Sequence, residues 1–216
     1  MKIEPLITII TAAFRIEGLK EAIKSIDAQT YKKWHHIIVN DNQPDIREWG
    51  NAMRDQWLNE NRFFIDLGVR THWFGGIARN VGTVVANTYL QDHNNENRWI
   101  VYHDDDNLWY PEHLQTLVNG LNEMPEAALI GVDCEVRGKI NKDYKNIRRL
   151  KFAPQNVDIG QLLYKANLFR KYGLWDPCPR YTISWDWELI KKMYEGEKDK
   201  VKIISKATFI FWHKRR

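Results

Sequence analysis

The chain has 216 residues, 44% of them hydrophobic, and a formal net charge of +4. This length and composition predict one globular domain over residues 1–216 with a full hydrophobic core, and they exclude an intrinsically disordered chain. The mild charge permits an anionic ligand, but it does not indicate a nucleic-acid-binding protein.

The first half of the chain alternates short apolar runs with helical patterns. A first helix is predicted around Leu19, Ala22, Ile23 and Ile26, which recur at helical spacing. The predicted strands lie at residues 6–10, 34–39, 63–66 and 99–103, and further helices are predicted at 46–59 and 77–90. This alternation predicts an α/β fold with a mostly parallel central sheet and helices on both faces.

The second half of the chain is less regular. Its apolar pattern predicts strands at residues 129–136 and 147–152 and a strand followed by a helix within 161–172. It also predicts a helix at 185–194 and a last pair of strands within 201–212. No internal repeat and no low-complexity linker divides the chain, so we expect a single domain.

Three consecutive carboxylates, Asp104, Asp105 and Asp106, follow the apolar run at residues 99–102. Adjacent carboxylates repel each other unless a cation lies between them, and Mg²⁺ and Mn²⁺ prefer oxygen ligands. Such ions are usually shared with substrate phosphates. A solvated acidic turn is the alternative, but the strand before the triplet favours a metal–phosphate site.

Three loops are predicted to meet at one edge of the sheet, after Ile10, after Val39 and after His103. Ligands of open α/β sheets bind at the carboxyl ends of parallel strands. Asp41 is positioned to accept a hydrogen bond from a base imide, and Thr11 and Arg15 to meet base or phosphate. No G-x-G-x-x-G or Walker loop is present, which disfavours a dinucleotide- or ATP-binding protein.

Four segments in the first half resemble the family-2 glycosyltransferases of the GT-A fold, in the order of that family. Residues 5–15 resemble the opening strand and donor-binding loop, and residues 37–45 resemble the V-D-D-G-S-T-D segment, with Asn40 and Asn42 as departures. Residues 76–82 match G-x-A-R-N-x-G, and residues 104–111 match the D-x-D motif with its trailing Trp and Pro. Four ordered matches are more specific than any one of them.

The resemblance implies transfer of a sugar from a nucleotide diphosphate sugar, with a UDP-sugar favoured, to a hydroxyl of a glycan or other acceptor. It implies a nucleotide-sugar-binding half at about residues 1–110 and an acceptor half at about 111–216. Mn²⁺ or Mg²⁺ is the implied cofactor, with Asp106 and Asp104 as ligands. Asp105 has a ligand role or is an exposed carboxylate turned away. The implied nucleotide-sugar contacts are Thr11, Ala13, Arg15, Asp41, Arg79, Asp104 and Asp105.

The second half supplies the predicted base and acceptor contacts. Residues 184–189 resemble the family's E-D-W-D/E-L segment with Trp185 in place of Glu, which makes Asp186 the predicted catalytic base. The alternative for Asp186 is a helix N-cap. Trp109 and Trp185 are predicted acceptor contacts. His213, after the last strand, is either a third metal ligand or part of a basic tail.

Other functions remain open from sequence alone. A retaining transferase on the same fold would not need Asp186 as a base. A nucleotidyltransferase shares the acidic crevice, but it normally has a glycine in its first loop, which residues 11–15 lack. A carbohydrate-binding module or a nucleotide-binding pseudo-enzyme would use the same residues without turnover.

The expected cellular location follows from the absence of a membrane span, a secretory signal and a disulfide framework in the sequence. No apolar stretch approaches the length of a membrane span, and residues 6–10 are too short for a secretory signal. Two cysteines, Cys134 and Cys178, are too few for a disulfide framework. We therefore expect a soluble, cytoplasmic protein with no membrane span. The chain ends just after an apolar strand, which is compatible with a longer parent protein.

Overall fold

The computed structural model of the protein describes residues 2–71, 75–88, 98–138, 145–154, 156–176 and 185–213, without the side chains of residues 185, 212 and 213. The strands within these ranges are β1 (Leu6–Ala13), β2 (Trp34–Asn40), β3 (Arg62–Asp66), β4 (Arg98–Tyr102), β5 (Leu108–Trp109), β6 (Leu129–Gly138), β7 (Lys145–Arg148), β8 (Leu162–Lys165) and β9 (Val201–His213). The helices are α1 (Ile16–Asp27), α2 (Pro44–Asn59), α3 (Gly76–Thr88), α4 (His113–Glu123), α5 (Leu168–Tyr172) and α6 (Trp185–Gly196).

All of these strands join one sheet in the order β3-β2-β1-β4-β8-β6-β9-β5, with β7 paired to β6. The strands β3, β2, β1 and β4 are parallel, as the alternation of strands and helices predicts. In the second half, β8 is antiparallel to β4 and β6, whereas β6 and β9 are parallel. The predicted α/β fold is confirmed, and the antiparallel pairs lie in its less regular half.

The two faces of the sheet are covered by different helices because successive strand residues point to opposite faces. On one face, Ile10 and Ala12 of β1 belong to the same core cluster as Ala78 of α3. On the other face, Ile9 belongs to a cluster that includes Leu114 of α4. The helices therefore hold the sheet rigidly from both sides and leave its carboxyl edge to the loops.

Helix α4 is absent from the elements that the sequence predicts. Leu114, Leu117 and Leu121 recur at helical spacing and are all buried, which is the apolar stripe of an amphipathic helix. In the part of the chain that the structure describes, neither this helix nor any other has the length and apolar composition to cross a membrane.

Two strand predictions in the second half are wrong in extent. The strand predicted at residues 147–152 ends at Arg148. The predicted pair within 201–212 is one continuous strand, β9. Ile204 lies opposite Val132 and Ala207 opposite Asp133, so the two polar residues between them are accommodated in an irregularity of the β6–β9 register instead of a turn.

Candidate active site

The candidate site lies at the carboxyl edge of the parallel strands. Ala13 at the end of β1 is in register with Asn40 at the end of β2, and Ile10 is in register with Tyr102 at the end of β4. The loops that follow these three strands therefore leave the sheet side by side, as the sequence predicts.

Asp104 and Arg79 form an ion pair inside this crevice. The Arg79 guanidinium donates to Asp104 Oδ1, and its side chain is only 6% exposed, so it does not extend over the surface into solvent. Arg79 lies in the first turns of α3, directly after Gly75, whose φ is +81°. A Cβ on Gly75 would lie 3.0 Å from the Ala12 Cβ, so glycine allows this helix to begin close to β1.

Asp105 is buried and has a structural role. It is 1% exposed, and its Oδ2 accepts hydrogen bonds from the backbone N–H groups of Phe14 at 2.6 Å and Arg15 at 2.7 Å. Its Oδ1 accepts a hydrogen bond from Arg15 Nε at 2.9 Å. Burial raises the pKa of Asp105, and these donors oppose the rise. The alternative of an exposed carboxylate is therefore wrong for Asp105, and its predicted nucleotide-sugar contact stays a prediction.

Arg15 bridges two of the three aspartates. Besides its contacts with Asp105, its NH1 donates to Asp106 Oδ2 at 2.9 Å. The guanidinium therefore pairs with carboxylates while 43% of the side chain stays exposed, and the predicted nucleotide-sugar contact of Arg15 stays a prediction. Asp106 itself keeps 25% of its side chain exposed.

Thr11 and Ala13 are core residues at the end of β1, and their predicted nucleotide-sugar contacts stay predictions. Both are 0% exposed. The Thr11 hydroxyl pairs with His36 Nε2 at 2.9 Å, and Ala13 packs in the cluster that contains Leu19 and Ile38. The sequence prediction ended the first strand at residue 10, whereas β1 continues to Ala13.

Asp41 carries a carboxylate oxygen that lacks a partner. The residue is fully buried, and its Oδ1 accepts a hydrogen bond from the backbone N–H of Thr71 at 2.8 Å. Its Oδ2 is buried without a hydrogen-bond partner among the described residues. Because an unsatisfied buried carboxylate oxygen is costly, this atom marks a position where a ligand donor would be stabilised.

The two departures beside Asp41 have structural explanations. Asn40 donates to Asp66 Oδ1 at 2.8 Å and accepts from the Gln43 N–H at 3.0 Å, so it ties the β2 loop to β3. Asn42 stands where the family pattern has Gly, and its φ is +57°. Asn is among the few residues that tolerate this left-handed conformation.

Asp186 lies in the first turn of α6 and is half-buried. Burial raises the pKa of its carboxyl group, and the positive charge of Arg79 opposes that rise. The direction agrees with the sequence prediction of a partly desolvated, more basic carboxylate. The side chains of Trp185 and His213 lie outside the described residues, so their predicted contacts stay predictions.

Trp109 is buried instead of lining an acceptor surface. It is 4% exposed, with its ring stacked on His113 at 4.5 Å and edge-on to His103 at 4.3 Å. The acceptor contact predicted for Trp109 is therefore corrected to a packing role. His103 and His113 are themselves fully buried.

Asp158 belongs to the site, and the sequence prediction missed it. Leu163 of β8 lies opposite Val101 of β4 in an antiparallel pair, so the turn before β8 lies beside the loop that carries Asp104. Burial and the negative charges of Asp104 and Asp186 raise the pKa of Asp158 to about 7. The sequence does carry a local signal, because Asp158 and Gln161 have the spacing of a capping box. That spacing predicts a turn, but it does not predict that the turn faces two remote aspartates.

Asp104 and Asp106 fit one kind of metal site. Their side chains are 23% and 25% exposed and offer hard oxygen ligands. In the described part of the chain, no group of three or more His, Cys, Asp or Glu side chains is arranged to hold a metal ion. The pair therefore fits an ion shared with substrate phosphates, and it does not fit an all-protein metal cage.

Comparison with known proteins identifies the family of this arrangement. Residues 8–182 match the family model described as "Glycosyl transferase family 2". This match covers more than half of the chain. No curated protein sequence matches the chain significantly.

Solved structures show the same fold. Residues 1–349 of S. aureus TarS match with a TM-score of 0.70 and 16% identity over 94% of this chain and 59% of that one. The same TarS fragment in complex with UDP matches with a TM-score of 0.70, 15% identity and 96% and 60% coverage. The mannosyltransferase PcManGT from Pyrobaculum calidifontis, in complex with GDP-Man and Mn²⁺, matches with a TM-score of 0.69 and 16% identity over 99% of this chain and 58% of that one. The chain thus spans less than two thirds of the length of these proteins.

Proposed function

The chain belongs to glycosyl transferase family 2, and from this premise we propose that it transfers a sugar from a nucleoside diphosphate sugar, preferably a UDP-sugar, to an acceptor hydroxyl with inversion. The observation that carries the proposal is the Arg79–Asp104 ion pair at the carboxyl edge of the parallel sheet, with Asp186 near enough for its charge to act on Arg79. A guanidinium held by one carboxylate, with a second carboxylate nearby, suits a site that binds a diphosphate and a reacting hydroxyl.

Asp41 supports uracil as the base. Its Oδ1 is used by the Thr71 N–H, which leaves one buried oxygen, Oδ2, to accept from a ligand. Uracil presents a single imide N–H, whereas guanine presents its ring N–H together with an amino group. One free oxygen matches uracil better than guanine, and thymine would match equally well. One solved neighbour is in complex with UDP and another with GDP-Man.

Asp106 and Asp104 would hold Mn²⁺ or Mg²⁺ together with the donor diphosphate. When bound, such an ion neutralises charge that develops on the departing diphosphate. The Mn²⁺ in the PcManGT complex supports this proposal. Arg79 is held by Asp104 and adds a fixed positive charge to the same crevice.

Asp186 would act as the general base. Its carboxylate takes the proton of the acceptor hydroxyl as that oxygen attacks the anomeric carbon, and the bond from that carbon to the diphosphate breaks on the opposite side. Burial raises the pKa of Asp186, which strengthens it as a proton acceptor. A single displacement of this kind inverts the anomeric configuration.

Calorimetric titration tests the donor class. With Mn²⁺ present, UDP is expected to bind more tightly than GDP, and thymidine diphosphate to bind comparably to UDP. Tighter binding of GDP would overturn the uridine preference. The anomeric configuration of the transferred or hydrolysed sugar, read by NMR, tests the mechanism, because a retained configuration would favour a retaining transferase on the same fold.

A further inference from the structure

Asp158 is held in a fixed position by the turn that follows it. Its Oδ1 accepts a hydrogen bond from the Gly160 N–H at 2.9 Å, and its own N–H donates to Gln161 Oε1 at 2.9 Å. Gln161 is fully buried and donates to the Val132 carbonyl of β6 at 2.8 Å. The carboxylate is therefore anchored through its neighbours to the central sheet.

The turn also packs closely against strand β9 of the sheet. A Cβ on Gly160 would lie 2.5 Å from the Phe209 ring of β9, so this glycine allows close approach. A carboxylate presented by such a tightly packed turn has little freedom to swing away from a ligand. This rigidity is what a selective contact requires, since the geometry exists before the ligand arrives.

The surroundings of Asp158 limit what it can bind. Asp104 and Asp186 are both close enough for their charges to disfavour its ionised form. A phosphate in direct contact with Asp158 would be repelled by its carboxylate, whereas a neutral hydroxyl donor would be attracted. The Asp158 side chain accepts hydrogen bonds from the backbone of its own turn, and because a carboxylate has about four lone-pair sites it keeps acceptor capacity for such a group.

Resting on the proposed function, we infer that Asp158 accepts a hydrogen bond from a hydroxyl of the transferred sugar and thereby selects the donor sugar. β8 follows this turn and is antiparallel to β4 with Leu163 opposite Val101, so the turn lies beside the loop that carries Asp104, on the donor side of the crevice. A site built to bond a hydroxyl discriminates strongly against sugars that lack it or present it elsewhere.

Two substitutions separate sugar recognition from folding. Asp158→Ser keeps a residue that can cap the turn but shortens its reach toward a sugar. Asp158→Asn keeps the shape and the oxygen that accepts from Gly160, so it serves as the second variant if the serine protein is unstable. Binding is measured by calorimetry with Mn²⁺, using UDP alone and then UDP-glucose, UDP-galactose, UDP-N-acetylglucosamine and GDP-mannose.

The wild-type protein is expected to prefer one sugar of this panel. In the variants, the affinity for the nucleoside diphosphate alone should stay within about twofold, whereas the affinity for the preferred sugar nucleotide should fall roughly tenfold, and the preference among sugars should shrink. A purely structural role would weaken both ligands together, which would overturn the inference.

Two further outcomes distinguish failure of the inference about Asp158 from failure of the proposed function. Unchanged sugar-nucleotide affinity in a folded variant would overturn the role of Asp158 and leave the proposed function intact. Failure of the wild-type protein to bind any nucleotide or nucleotide sugar of the panel would overturn the proposed function, and the role of Asp158 with it.

Discussion

The backbone N–H and the Nε of Arg15 both donate to the carboxylate of Asp105, at 2.7 and 2.9 Å. This contact joins the loop after β1 to the loop after β4. Because Arg15 also reaches Asp106, the middle aspartate of the triplet positions the residues around it. The adjacent aspartates therefore differ in role, and substitutions can distinguish the structural role of Asp105 from the metal-binding role proposed for Asp106.

Asp105→Asn is expected to destabilise the protein in the absence of any ligand. The change removes the charge that pairs with Arg15 and leaves buried N–H groups with a weaker acceptor, for a loss of about 1–3 kcal/mol in the free energy of unfolding. Urea unfolding measures this loss. Asp106→Asn is the matched control, since a partly exposed ion pair contributes only about 0–1 kcal/mol. Equal stabilities of the two variants would contradict the structural role of Asp105.

Asp106→Asn is expected to abolish the metal dependence of UDP binding while the fold survives. The amide cannot replace a carboxylate ligand for a hard divalent ion, so we expect affinity in Mn²⁺ to fall roughly tenfold or more, about 1.4 kcal/mol. Calorimetry with and without Mn²⁺ gives the answer. The exposed Asp199, changed to Asn, provides the control. Wild-type affinity in the Asp106 variant would remove it from the metal site.

Asp186→Asn is expected to lower the rate of the chemical step by on the order of 10²–10⁴-fold with donor binding retained. The amide preserves size and helix capping but abolishes basicity. Glu188→Gln, an exposed change in the same helix turn, should have little effect. Near wild-type transfer by the Asp186 variant would reduce this residue to a helix cap.

The activity should also depend on pH through Asp186. The deprotonated form acts as the base, so activity is lost as the pH falls through the pKa of Asp186. Because burial raises this pKa above the usual value of 3.8, the loss should begin at a higher pH than for an exposed aspartate. The profile of kcat/KM against pH measures it.

Stability should fall on mild acidification because of His113. Burial lowers its pKa from 6.5 to about 3, so the folded state keeps the imidazole neutral. Below pH 6.5 the unfolded chain binds a proton that the folded chain does not, and stability falls as pH falls through that window, by about 1.4 kcal/mol per pH unit.

His113→Asn is the comparison for this effect. The amide can replace the ring nitrogen that pairs with Thr208 at 2.9 Å, but it does not titrate. The variant is expected to be less stable at neutral pH and to lose stability less steeply between pH 6.5 and 4.5. Parallel slopes for the two proteins in urea unfolding would rule out His113 as the source.

The sequence by itself determined the order of elements, the parallel first half of the sheet and the convergence of three loops. These follow from local patterns, since apolar periodicity selects strand or helix and parallel strands place their carboxyl ends together. It also determined the family, because the four matching segments retain their order. Even the departure at Asn42 is explicable locally, since Asn accepts the left-handed φ of that position.

Only the tertiary structure decided which side chains of those segments are buried and which remain partly exposed. Thr11 and Ala13 are in a segment predicted to bind the donor, but β1 is longer than predicted and buries both. Asp105 is indistinguishable from its neighbours in the sequence, yet its carboxylate accepts hydrogen bonds from the backbone N–H groups of Phe14 and Arg15. Local patterns specify backbone conformation, whereas these roles depend on contacts between residues about ninety positions apart.

Asp158 is a residue of the candidate site that the sequence analysis did not predict. Its spacing from Gln161 predicts a capped turn, and the structure bears out that turn. Asp104 lies in the loop after β4 and Asp186 in the first turn of α6. Only the pairing of β8 with β4 brings the turn of Asp158 beside the loop of Asp104. The charge environment of a residue is a sum over remote groups, so it is fixed by the folded arrangement of the chain and not by its local sequence.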